Sequence, residues 1–304
     1  MKNKSFLGSI LLTVTAFIWG SAFVAQSVGM DYLKPFTFNG IRCLIAAAAL
    51  FITSTIIDFC KKKKGTYKEL TKKQKKDMLR GGFTCGIALF LASSVQQYGI
   101  SMTSVGKAGF ISVMYIIIVP FYALLQKQRL PKMIWVSVPL ALTGLFFLCV
   151  TESINSINIG DIIVLLSAFL YAIHIIAVDR YAPLIDGVKL SLIQFFVAGT
   201  ISLFFMLFFD QPDVSAIKSA WFPLFYAGAL SGGLAYTLQI IGQKWTVASV
   251  ASLLMSMESV FAVLTGIVIL KQIPSPKELL GCALMFTAII LIQLPEKNTK
   301  KIKE

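Results

Sequence analysis

Ten apolar runs, each near the ~20 residues a helix needs to cross a hydrocarbon layer, divide this chain and leave it few ways to fold. They fall at 7–28, 36–57, 79–100, 108–126, 133–150, 160–178, 189–209, 222–240, 248–270 and 277–294. Short connections bearing Pro, Gly, Asn or Asp separate them. The composition explains why such runs are tolerated. Of 304 residues 57% are hydrophobic and 14% charged, which is more apolar surface than a water-soluble domain of this length can cover. The reading is an all-α polytopic membrane protein with the lipid bilayer as its solvent.

The net charge of +14 alone would suit a nucleic-acid binder, but its placement points elsewhere. The densest block runs from Lys61 to Lys64 and on through Lys68, Lys72, Lys73, Lys75 and Lys76 to Arg80, between two apolar runs. Basic residues gather in this way in cytoplasmic loops. With the N-terminus inside, 22 of the 28 Lys and Arg fall on the cytoplasmic side, so both termini are expected there and no nucleic-acid partner is needed. Lys2 and Lys4 precede a first run that holds Trp19 and Gln26 and exceeds the length of a signal peptide, so it is read as a retained helix. The five cysteines show no metal-ligand spacing and read as small hydrophobes; no metal or other cofactor is expected.

The chain also resembles itself. A shift of 152 lays Gly8 on Gly160, Thr15 on Ser167, Ala16-Phe17 on Ala168-Phe169, Trp19 on Tyr171, Arg42 on Gln194 and Ala46 on Ala198. A shift of 143 later lays Gln96 on Gln239, Gly99 on Gly242, Thr103 on Thr246 and Pro131 on Pro274. Two halves, 1–152 and 153–304, then hold five helices each. Five is odd, so the second half enters the membrane from the opposite side. The expected architecture is ten transmembrane helices as two inverted five-helix repeats around a central cavity.

Ionisable and amide groups at membrane depth cost several kcal/mol unless paired or wet, so each requires a reason. Glu258, mid-way along the ninth run with Ala251, Ala262 and Thr265 on its face, suits a proton site or contact with a substrate amine; a hydrogen-bonded structural role is the alternative. His174, the single histidine, is the second proton-coupling candidate, against a packing role. Arg42 could hold a substrate carboxylate, pair with Glu258 or snorkel to the interface. Trp19 and its counterpart Tyr171 are candidate cavity walls. Gln96 and Gln239, at equivalent places in the two halves, and Tyr236 beside Gln239 complete the cavity candidates, with interhelical hydrogen bonding as the competing account.

Phe17-Ile18-Trp19-Gly20-Ser21 in the first run, and Pro35 followed seven residues later by Arg42 in the second, resemble signatures of EamA-type proteins of the drug/metabolite transporter superfamily. Ser104-Val105-Gly106-Lys107-Ala108-Gly109-Phe110, leading to Pro120, resembles a bacterial subgroup. The resemblance implies a gradient-driven carrier, most often an exporter, of amino acids, related metabolites or drugs in the cell membrane, rather than an enzyme. No GxxxxGK[ST] run is present, in keeping with transport that does not use ATP. The sequence departs from the family where a Gly-Glu pair often follows the fourth and ninth helices: here stand Gln126-Lys127-Gln128 and Leu270-Lys271-Gln272. A receptor or scaffold is the competing class, and a small-molecule substrate is the partner the carrier reading requires.

Overall fold

A computed structural model describes residues 2–103, 105–128, 130–149, 158–270 and 275–293, and among these every regular element is helical. The elements are α1 (Lys2–Met30), α2 (Pro35–Lys63), α3 (Lys72–Ile100), α4 (Val105–Ser112), α5 (Tyr115–Leu125), α6 (Ile134–Cys149), α7 (Ile159–Tyr181), α8 (Gly187–Phe209), α9 (Val214–Ser219), α10 (Trp221–Phe225), a π-helical stretch (Tyr226–Ala235), α11 (Tyr236–Gln243), α12 (Ala248–Met255), α13 (Glu258–Leu270) and α14 (Pro276–Gln293). Among the described residues, six helical segments are long and apolar enough to cross a membrane: Lys4–Met30, Pro35–Lys63, Lys72–Ile100, Ile159–Tyr181, Gly187–Phe209 and Trp221–Gln243. Shorter apolar helices accompany them. The chain is a multi-pass membrane protein.

Local chemistry sets the helix ends. α3 starts seven residues before its apolar run because Thr71 and Gln74 form a reciprocal capping box. Asn158 and Asp161 make the same box at the start of α7. Pro35 opens α2 at a position where no amide proton is needed, and Lys61, Lys62 and Lys63 close it, their charge complementing the helix C-terminus. α5 ends in a Schellman turn, with the Gln128 and Lys127 amides donating to Ala123 and Leu124. Lys127 adopts φ 55° there, at the position that usually takes glycine. The boundary between the proposed halves, at 152/153, lies outside the described residues, as do most of the motif's ninth-helix counterpart at 270–272 and Ser104 of the subgroup motif.

The fourth and ninth runs, expected to be continuous helices, are each broken. α4 gives way to α5 at Val113-Met114, and α12 to α13 at Ser256-Met257. At both places backbone bonds tighten to three-residue steps, Ile116 to Val113 and Ile117 to Met114, then Met257 to Leu254 and Ser259 to Ser256. Pro120 lies within α5, beyond the break. The shift of 143 maps one break onto the other and Tyr115 onto Glu258. Val113, Ser256 and Met257 are buried, so the irregular backbone is enclosed by protein and not offered to lipid.

Packing inverts the habit of a soluble protein. Phe51, Phe59, Leu125, Phe204, Leu207 and Val268 face outward, while Asn39, Gln97, Ser167, Gln194 and Ser252 are wholly buried. α3 packs on α7 and α8, α2 on α8, α6 on α14, and α1 on α13, α11 and the π stretch. Under the repeat expected from the sequence, α2–α8 and α6–α14 are each their own counterpart, and α3–α7 corresponds to α1 with α11 and the π stretch. The closest crossings correspond too. A Cβ on Gly242 would lie 3.1 Å from the Gly8 carbonyl oxygen, and one on Gly99 3.1 Å from that of Gly160. Gly8 and Gly160, like Gly99 and Gly242, are the pairs the repeat equates. Small residues let the backbones touch where lipid supplies no hydrophobic drive between helices. The basic α2–α3 connection, the α7–α8 turn and Lys244 gather at one end: Lys61 approaches Asp186 at 3.9 Å, Lys189 bonds Asp58 at 2.8 Å, and one surface hollow joins Gln74, Asp186, Lys189 and Lys244. Gly8, near the N-terminus, contacts Thr246 and Trp245 at this same end.

Candidate functional site

The break in α13 lies against α1. A Cβ on Gly20 would come within 2.5 Å of the Glu258 carbonyl oxygen and 2.7 Å of the Phe261 Cβ, so only glycine admits this approach. It brings Trp19, the neighbour of Gly20, beside Glu258 at a small cavity of about 40 Å³. The Trp-Gly pair noted in the sequence thus has a packing reason.

The cavity is walled by both halves. Trp19, Phe23 and Gln26 come from α1, Arg42 from α2, Gln96 from α3, Tyr115 from α5, Tyr171 from α7, Ser231 from the π stretch, Tyr236 from α11 and Glu258 from α13. Of the residues singled out in the sequence, Trp19, Arg42, Gln96, Tyr171, Tyr236 and Glu258 meet here. A water needs roughly 10–15 Å³ measured this way, so the space admits a few waters and no metabolite. A larger guest requires the helices to part.

Tyr115 donates its hydroxyl proton to Glu258 Oε1 at 3.2 Å, joining the first residues of the two half-helices that follow the breaks. Tyr171 donates to Gln96 Oε1 at 3.0 Å, and Gln96 Nε2 donates to Ser112 Oγ at 3.0 Å, tying α7 to α3 and α3 to the end of α4. Trp19 lies against Tyr236 with ring centroids 4.7 Å apart, and Tyr236 meets Phe195 edge-on. The result is an aromatic box with two amides and two ionisable groups in its wall.

Arg42 is buried to 5% exposure, and its Nε donates to Asn39 Oδ1 at 3.0 Å. Asn39 is a hub. Its Nδ2, with two protons to donate, lies within hydrogen-bond distance of Ser93 Oγ at 3.0 Å, Ser94 Oγ at 3.0 Å and Ser202 Oγ at 3.1 Å, joining α2 to α3 and α8. Arg42 makes no ion pair with Glu258, although both reach the cavity.

Two sequence candidates are placed elsewhere. Gln239 is buried away from the cavity wall, and its Oε1 has no partner among the described residues. Gln239 follows Tyr236 by three residues within α11, yet Tyr236 reaches the cavity wall and Gln239 does not. His174 is fully buried, shares a 3.1 Å hydrogen bond with Gln194 Oε1, and stands 5.9 Å behind the Tyr236 ring. It supports the box from outside. Tyr115 and the Asn39 hub were not read from the sequence. The shift that equates Tyr115 with Glu258 was a usable signal; the three serines around Asn39 leave no local pattern.

Comparison with known proteins agrees with this architecture. The EamA-like transporter family matches over residues 6–150 and again over 158–294. A protein of Archaeoglobus fulgidus named an uncharacterized transporter is 28% identical over 299 residues, spanning 96% of this chain and 87% of its own. Two uncharacterized transporters of Bacillus subtilis, YoaV and YwfM, are 24% and 23% identical over 295 and 299 residues. YoaV aligns over 95% of this chain and 96% of its own, and YwfM over 98% and 97%. One solved crystal structure superposes with a TM-score of 0.74 at 17% identity, over 94% of this chain and 98% of its own, a likeness of fold alone.

Proposed function

The chain belongs to the EamA-like transporter family, and from that premise we propose that it is a secondary active transporter of small metabolites: amino acids, related compounds or drugs of similar size. The observation that carries this reading is the cavity that draws Arg42, Glu258 and aromatic rings together from both halves of the chain. Its small volume fits a narrow stage of a carrier that opens to one side and then the other. The mirrored breaks are where such a change would flex, since discontinuous helices meeting at mid-membrane are the usual site of transport in inverted-repeat carriers. The proposed frame is ten spans, five in each of the halves 1–152 and 153–304. Both termini lie in the cytoplasm of a bacterial cell, and transport runs outward.

Glu258 is the proposed proton-coupling residue. It is an ionisable group at the cavity whose protein partner is a tyrosine hydroxyl rather than a cation. His174 ranks below it, being sealed behind Tyr236. The test is flux in proteoliposomes against a panel of amino acids and amphipathic drugs, with and without a pH gradient. At least one compound should move faster than in protein-free vesicles, and Glu258→Gln should abolish the gradient-dependent part. Absence of flux for every compound, with ligand binding retained, would favour a receptor instead. Gradient dependence unchanged in Glu258→Gln would remove that residue from the coupling role.

A further inference from the structure

We propose that Arg42 is the subsite for a substrate carboxylate, so that the cavity selects anionic or zwitterionic molecules and excludes simple amines; this rests on the transport reading of the cavity. The argument begins with what holds the side chain. Asn39 Oδ1 takes the Nε proton, and Asn39 itself is fixed by Ser93, Ser94 and Ser202 on two other helices. The guanidinium therefore cannot rotate without breaking a buried network. With Nε occupied, the two terminal nitrogens remain. They have no hydrogen-bond acceptor and no ion-pair partner among the described residues, yet they are not among the buried polar atoms cut off from solvent space. Arg42 lines the cavity, so these nitrogens open onto it.

A cation nine-tenths buried and without a protein counter-charge is costly, and an arrangement of this kind is stable in the presence of an anion or water. Two parallel N–H groups of a held guanidinium match the two oxygens of a carboxylate in a way a lysine would not. Snorkelling does not fit this burial: Arg42 is itself buried and is tied to the wholly buried Asn39. Pairing with Glu258, the other sequence expectation, is not formed. Glu258 lines the same cavity and remains available for the opposite end of a zwitterion.

The experiment uses the full-length purified protein and matched probes: L-leucine, L-leucinamide, isoamylamine and 4-methyl-2-oxopentanoate, with the corresponding phenylalanine set. Binding is read from the shift in thermal unfolding and from competition. The acid-bearing members should bind at least ~10-fold more tightly than the amide and the amine, the order expected when a charged hydrogen bond is lost. Arg42→Gln should erase the difference. Because that variant leaves Asn39 with a changed partner and can misfold, Asn39→Asp is the second arm. Its carboxylate can accept from the same three serine hydroxyls while giving Arg42 an internal counter-charge, so it should retain the unfolding temperature within a few degrees and lose the preference for acids. Amines or amides that bind as well as their parent acids, no acid that binds, or an unaltered preference in Asn39→Asp would each overturn the subsite. Flux separates the two readings. Acid-selective binding without flux in vesicles refutes transport but not the subsite. Flux of amines unaffected by Asn39→Asp refutes the subsite but not transport.

Discussion

Replacing Tyr115 with Phe removes one oxygen and leaves the ring, so its cost isolates the bond between the two broken helices. Glu258 accepts from Tyr115 at 3.2 Å, and both residues are almost wholly buried. Leaving a buried acceptor without its donor costs about 1–3 kcal/mol. The cavity has room for a few waters, one of which can take the place of the hydroxyl, so the lower half of that range applies, about 1–2 kcal/mol. For a chain of 304 residues the unfolding temperature falls by roughly 1.5 °C per kcal/mol, giving a drop of about 1.5–3 °C for Tyr115→Phe in detergent. Glu258→Leu should cost more alone, because it strands the tyrosine hydroxyl. The double variant removes both polar partners and should be more stable than the sum of the singles predicts by about 1–2 kcal/mol. Thermal scans of the four proteins, at matched detergent and pH, complete the cycle. An unfolding temperature within 1 °C of wild type for Tyr115→Phe, together with strict additivity in the double variant, would show that this bond does not hold the breaks together.

Gly99→Leu and Gly242→Leu should each disrupt an equivalent crossing, since even a Cβ would lie 3.1 Å from the facing carbonyl in both; overpacking of about 1–3 kcal/mol or more is expected for each, and a loss confined to one half would contradict their equivalence. Asp210→Ala should lower stability by about 1–2 kcal/mol, because its carboxylate accepts from the Thr37 amide at 2.6 Å and hydroxyl at 3.0 Å, while leaving substrate affinity unaltered, as measured by competition. Lys127→Gly should raise the unfolding temperature by about 1–3 °C by relieving the left-handed conformation at φ 55°, and a decrease would show that the lysine side chain contributes there.

The membrane class was legible because apolar runs of this length have one inexpensive environment. The cavity wall was legible for a related reason: Arg42, Gln96 and Glu258 cannot face lipid, and a bundle of helices has a single interior in which to collect them. What escaped was set by long-range contact or by backbone geometry. The breaks at Val113-Met114 and Ser256-Met257 carry neither Gly nor Pro, and tight turns enclosed by protein need neither. Tyr115 sits in the run Tyr-Ile-Ile-Ile-Val, where an aromatic passes for one more lipid-soluble side chain. Asn39 gains its importance from Ser202, 163 positions away, which no local pattern announces. Gln239 lies three residues after Tyr236 on α11, yet only Tyr236 lines the cavity, a distinction that residue spacing does not draw; the helix changes pitch at Tyr226, ahead of both.

That change of pitch is present on one side only. The third helix of the first half is α-helical where its counterpart, Tyr226–Ala235, is π-helical, with Gly228 seated on the Arg42 carbonyl and Tyr226 bonded to Ser21 at 2.5 Å. Exchange of the halves is therefore inexact, and an inward-facing and an outward-facing form would differ in energy even with nothing bound. The concentrations on either side still dictate net movement. In a carrier of the proposed kind, the lopsided backbone would instead bias which doorway stands open at rest, and so which compartment the molecule samples first.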